Sequence, residues 1–169
     1  GRLVVGSEKG REGDSFASLD EAQAAVIRET RVGLAAGKDS VIEFIASEFD
    51  HAKIEELPQS LNVLHGGLMI VNQHQAGDVL KAAANYVANA LLRDNQTPEL
   101  GQMDDLADAI TSVDYYLERL LDNPGDPYLQ MLEVAETAVK KLGYPVGAEA
   151  PAAEVVEDAA EVVEDAAEV

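Results

Sequence analysis

SLNVLHGGLMIVN, residues 60–72, decides how this chain folds. Starting just before it, Leu57, Leu61, Leu64, Leu68 and Val71 repeat at intervals of four, three, four and three. That period is the helical one, and it places five large apolar side chains on a single face. Such a stripe must be covered, so the segment predicts a helix packed into a bundle. Pro58 suits the first turn, where its missing N–H leaves no bond unmade. The opposite face is fixed by the same geometry. Asn62, His65, Gly66, Met69 and Gln73 lie three or four apart and are expected to point away from the core. This face is neutral and partly apolar, and two glycines lower its profile. It reads either as a surface on which a partner lies flat or as ordinary helix surface with a bend.

Outward from that stretch the same period recurs. Toward the N-terminus, Ser18-Leu19-Asp20-Glu21 has the Ser-to-Glu spacing of a capping box. It predicts a long helix to about Glu48, with Ile27, Leu34, Val41, Ile45 and Phe49 as its apolar stripe. Gly33 and Gly37, four apart, read as a close helix crossing or a bend. Asp50 is placed to cap a short turn through Glu56. Toward the C-terminus a third helix is predicted from about Gln75 to Arg93, with Ala76, Leu80, Ala83, Val87 and Ala90 inward. Thr97 and Pro98 read as cap and first residue of a fourth helix. That helix carries the strongest pattern: Met103, Leu106, Ile110, Val113, Leu117 and Leu120. After NPGDP a fifth helix is expected from Asp126-Pro127, with Leu129, Leu132, Ala135, Val139 and Leu142 inward. Lys140 and Lys141 suit the negative end of its dipole, and Gly143 ends it. The expected fold is all-α: an antiparallel helical bundle with a four-helix core plus a fifth helix.

The flanks differ in character. Residues 1–17 are Gly-rich and mixed in charge and read as a flexible lead-in. Residues 18–146 hold the bundle. Residues 147–169 repeat EVVEDAA in tandem, with eight acidic side chains and no basic one. A solvated acidic linker or a marginal helix fits them, since the carboxylates have no Lys partners. Linkers of this kind join domains, and the chain starts at Gly1 rather than Met, so a processed product or an excised piece of a longer protein is expected.

Composition excludes several functions. Across 169 residues, 32 acidic side chains against 12 basic give a net charge of −20. That field repels nucleic acid and anionic lipid, so neither is an expected partner. No apolar run reaches the ~18 residues of a membrane helix. There is no Cys, hence no disulfide, thiolate metal site or Cys nucleophile, which fits a cytoplasmic protein. Only His51, His65 and His74 could supply imidazole. They share no local face with carboxylates at helical spacing, so no metal site is expected. Asp104, Asp105 and Asp108 read as an acidic helix start rather than a catalytic pair. Tyr116 borders the fourth stripe, while Tyr115 is free to line a docking surface. No phosphate-cradling loop, Ser elbow or dinucleotide fingerprint is present, and no cofactor or small-molecule substrate is implied.

LNVLHGGLMIVN followed by AGDVLKAAANYV resembles the second and third helices of a histidine phosphotransfer (Hpt) domain. That family carries a His-x-x-Lys-Gly box with a later glycine closing the helix. On this chain Asn62 takes the phosphoacceptor place, His65 the Lys place, Gly66 the Gly place and Asn72 the closing glycine. The resemblance therefore implies a degenerate phosphotransfer helix, since an amide cannot accept the phosphoryl group. Residues 16–58, with MDDLADAITSVDYYLERLLDNP and LEVAETAVKKLGYPV, are similar to the FimL-like N-terminal region of the ChpA (PilL) type of type IV pilus chemosensory kinase. This similarity spans about residues 16–146. It implies a non-catalytic interaction module of a histidine kinase controlling twitching motility, with response-regulator-like or pilus-regulatory proteins as partners. Two alternatives stay open: a phosphocarrier using His65, and a structural spacer.

Overall fold

The computed structural model describes residues 19–147, and among these every regular element is helical. α1 spans Glu21–Ala46, α2 Leu57–Ile70, α3 His74–Tyr86, α4 Leu100–Asp122 and α5 Gln130–Lys141. A 3-10 turn, His51–Ile54, joins α1 to α2, and α3 runs on through wider π-type turns over Val87–Arg93. The expected lead-in of residues 1–17 and the acidic repeat lie outside the described residues, apart from Gly147.

α1 packs on α2 and α4, and α3 packs on α2, α4 and α5. α2 and α4 therefore stand on different sides of the bundle. α3 occupies the middle. Its expected five-residue stripe is joined inside by Val79, Ala82, Ala84 and Tyr86, so the helix is buried nearly all round. Its alanines suit that place, because small side chains let three neighbours approach at once.

Gly33 and Gly37 mark a close crossing. A Cβ on Gly33 would stand 2.7 Å from Leu64 Cδ2, and one on Gly37 would stand 3.3 Å from Leu57 Cδ1. The glycines let the leucines of α2 reach the backbone of α1. Of the two sequence readings, this is the crossing rather than the bend. Residue 37 meets the start of α2, and Val26 lies against Gly67 near its end, so the pair is antiparallel. Arg31 ties α1 to α4: its Nε donates to Asp114 Oδ1 at 2.7 Å, and Glu118 lies 3.7 Å from its second nitrogen. The bond to Asp114 and the two negative charges hold this guanidinium pKa above its ordinary value, against a partial loss of solvation.

Three helix starts fall later than the sequence pattern suggested. Asp20, not Ser18, caps α1, its carboxylate accepting from the Gln23 N–H at 2.7 Å while Gln23 accepts from the Asp20 N–H at 3.1 Å. Glu99 and Gln102 form the same reciprocal box at α4, in place of Thr97 and Pro98. α5 begins at Gln130 rather than at Asp126. The ends follow expectation more closely. Asp50 Oδ1 accepts from the Ala52 N–H and caps the short turn. Gly143 takes φ 94°, and the N–H of Tyr144 returns to Val139 O at 2.9 Å, closing α5 in the left-handed conformation that glycine adopts freely.

Candidate functional site

The candidate surface starts from α2, because residues 57–77 contain no Asp, Glu, Lys or Arg in a chain of net charge −20. α2 closes in a left-handed turn at Asn72. Asn72 stands at φ 65°, a conformation asparagine tolerates better than most residues, and the Gln73 N–H bonds back to Leu68 O at 2.8 Å.

The expected face does not survive as one surface. Asn62 is exposed and Gly66 half-exposed, with open space where a Cβ on Gly66 would stand. The other three residues turn toward the bundle. His65 donates its Nδ1–H to the carbonyl of Gly77 at 2.8 Å, tying α2 to α3. Met69 lies against the same glycine, its sulfur 3.1 Å from where a Cβ would be. Gln73 accepts a hydrogen bond from the Tyr116 hydroxyl at 2.6 Å. The reason is geometric. α3 covers one flank of α2, so residues 65 and 69 become contacts, while Gln73 lies past the end of α2 at the start of α3 and reaches Tyr116 on α4.

The solvent side of α2 is instead Gln59, Val63, Gly66 and Ile70, at spacings of four, three and four, with Asn62 beside Val63. Val63 is 66% exposed and Ile70 80% exposed. Neither was among the expected site residues. Their signal in the sequence was two branched aliphatic side chains off the leucine stripe, on either side of Gly66. Next to Val63 an open groove of about 850 Å3 runs between α1 and α2, floored by Gly33 and Gly37 and edged at one end by Glu43, Glu55 and Glu56.

The remaining candidates have structural partners. His51 donates its Nε2–H to Gln96 O at 2.8 Å, and its ring meets Phe44 edge-on at 5.3 Å. His74 is the exposed first residue of α3. Among the described residues no three His, Asp or Glu side chains are grouped to hold a metal ion. Asp104, Asp105 and Asp108 lie beyond the first turn of α4, too far along to serve its dipole as expected. Tyr116 is buried, and Tyr115 is 39% exposed with its ring edge-on to Tyr128 at 6.1 Å.

Tyr86 has a strongly raised phenol pKa. It is 2% exposed, and burial first, then the fields of Tyr144 and Asp105, push its phenol up to about 12. Burial raises Tyr116 too. A raised phenol pKa stabilises the fold while the group is neutral. That contribution is complete below pH 10 and disappears as pH rises through about 12. From the size of the rise it is worth about 2–3 kcal/mol. The expected result is a loss of stability in alkaline denaturant titrations that Tyr86→Phe flattens. An unchanged alkaline slope in that variant would contradict this environment for Tyr86.

By fold the molecule is an all-α bundle whose second helix is uncharged and partly uncovered. A family model for the FimL C-terminal domain matches residues 17–139, and the chain belongs to that family. The scaffold protein FimL of Pseudomonas aeruginosa is 36% identical over 146 residues, covering 84% of this chain. The chain spans about a quarter of that relative's length, 26%. No solved structure matches the chain. Among the described residues no helix is long and apolar enough to cross a membrane.

Proposed function

We propose that this bundle is a non-catalytic protein-interaction module in type IV pilus control, with α2 as its docking helix. One observation carries the reading: an uncharged strip with Val63 and Ile70 in solvent and Gly66 bare between them, on an otherwise strongly acidic chain. Exposed branched side chains beside a glycine give a partner helix both apolar area and close approach. The P. aeruginosa relative is a scaffold protein, which supports the same class of function.

Within this reading α2 is a degenerate phosphotransfer helix. Asn62 occupies the acceptor place and is exposed, but an amide is not a nucleophile for phosphoryl transfer. His65 has its Nδ1 engaged by Gly77, and residues 57–77 offer no cation to hold a phosphoryl group. The proposed partners are response-regulator-like or other pilus-regulatory proteins, and the proposed setting is the cytoplasmic part of a chemosensory histidine kinase or a FimL-like scaffold.

Two measurements test this. Incubation with a phosphorylated response regulator is expected to leave no acid-labile label on the chain. Label that disappears in His65→Gln would overturn the degenerate reading in favour of a phosphocarrier. Binding of a type IV pilus receiver protein is expected to weaken roughly tenfold or more in Ile70→Glu, a loss of about 1.4 kcal/mol. The melting temperature should be unchanged, because Ile70 is exposed. Binding unchanged in both Ile70→Glu and Val63→Glu would move the docking surface off α2, and no binding by the natural chain would point to a spacer.

A further inference from the structure

The α2 strip leaves a second surface unexplained on the other side of the bundle. α4 carries six carboxylates and a single cation, Arg119. Asp114 is bound to Arg31, and Arg119 lies over the Tyr128 ring at 5.6 Å. Between α4 and α5 runs an open groove of about 390 Å3, with Asp105 and Asp108 on one wall and Glu133, Val134 and Lys141 on the other. Val134 is 47% exposed. Toward the α4–α5 connection the same side shows Tyr115 and Tyr128, 39% and 40% exposed, and Leu129 at 53%. Apolar side chains thus stand in water within a field of carboxylates.

We propose that this groove is a second docking surface, taking a basic segment of a partner protein that also carries aliphatic side chains. Charge complementarity selects the occupant. Three carboxylates face one lysine in the groove, so a cationic segment gains on approach and an anionic one is repelled. Val134 and Tyr115 supply what charge alone lacks: area that only an apolar side chain can cover, and an aromatic face for a Lys or Arg. A second copy is disfavoured, because its own α4 would bring a like-charged row against this one. With α2 and α4 on different sides, one bundle can hold two partners at once, the geometry a scaffold requires.

The test titrates isotope-labelled full chain with a synthetic amphipathic helical peptide bearing a leucine face flanked by lysines. Two controls replace its leucines by serine or its lysines by glutamate. The expected shifts cluster at Asp105, Asp108, Tyr115, Val134 and Lys141, with binding weakened by salt. The serine control is expected to bind roughly tenfold or more weakly, and the glutamate control not at all. Val134→Asn and Tyr115→Ala should each weaken binding, and Asp105→Asn with Asp108→Asn should flatten its salt dependence. Ile70→Glu on α2 should change nothing. Shifts spread over the whole acidic surface, a serine control as tight as the leucine peptide, or variants that bind like the natural chain would overturn the proposal. So would a dimer that Val134→Asn dissociates. If the peptide fails while the receiver protein still responds to Ile70→Glu, the second surface falls and the α2 reading stands.

Discussion

Phe44→Ala is expected to destabilise the bundle by about 3–5 kcal/mol, the range for removing a fully buried aromatic side chain. Phe44 is completely buried, and its ring meets Phe49 and His51 edge-on, each with centroids 5.3 Å apart. It sits where three pieces of chain converge. α1 ends there, the 3-10 turn begins there, and His51 reaches across to Gln96 in the α3–α4 connection. Truncation opens a cavity and also removes the surface that orients His51. Since a domain of this size has a total stability of about 5–15 kcal/mol, the variant should be marginal at growth temperature. Urea denaturation gives the loss directly, and amide exchange at Ala52 and Lys53 should quicken before the rest of the fold opens. A loss below about 1 kcal/mol would mean that this end of the bundle repacks around the void.

Phe44 also shows where sequence reasoning slips. The expected first stripe continues from Val41 to Ile45 and Phe49 at two steps of four, and both are only partly buried while Phe44, three residues past Val41, is inside. The residues α1 buries, Ile27, Thr30, Leu34, Gly37, Val41 and Phe44, alternate three and four, whereas two successive steps of four turn the face away from the core, and Phe49 lies past the helix end at Ala46. The stripes of α2 and α4 were legible because each has its largest residues at alternating spacings of three and four. The helix starts were less so, since Ser18–Glu21 and Asp20–Gln23 both fit the capping spacing and only the backbone chooses between them. The candidate face was half legible. The leucines of α2 fix which direction is inward, but nothing local says that α3 covers the flank bearing His65 and Met69. Val63 and Ile70 lie off the core stripe, and identifying them as the uncovered pair required the partner helices to be in place.

Leu117→Ala is expected to cost about 2–5 kcal/mol. The number depends on how completely the site can collapse, and α4 leaves little room for that. Leu117 is fully buried, and its helix is held on three sides, by α1, α3 and α5. Arg31 anchors α4 to α1 at Asp114, about one turn away, which keeps the helix from sliding into the gap. The neighbouring stripe residues Val113 and Leu120 are themselves buried, at 0% and 4% exposed, so they have no mobile end to swing in. The loss should therefore lie above the bare transfer cost of the deleted atoms, with a cavity contribution added. Leu117→Met, which nearly conserves volume, should cost less than about 1.5 kcal/mol, separating the effect of volume from that of disturbing the site. Chemical denaturation of the two variants measures both values. A loss below about 0.5 kcal/mol for Leu117→Ala would place α4 at the periphery. A loosely held α4 could not fix the spacing of Asp105 and Asp108 across from Val134 and Lys141.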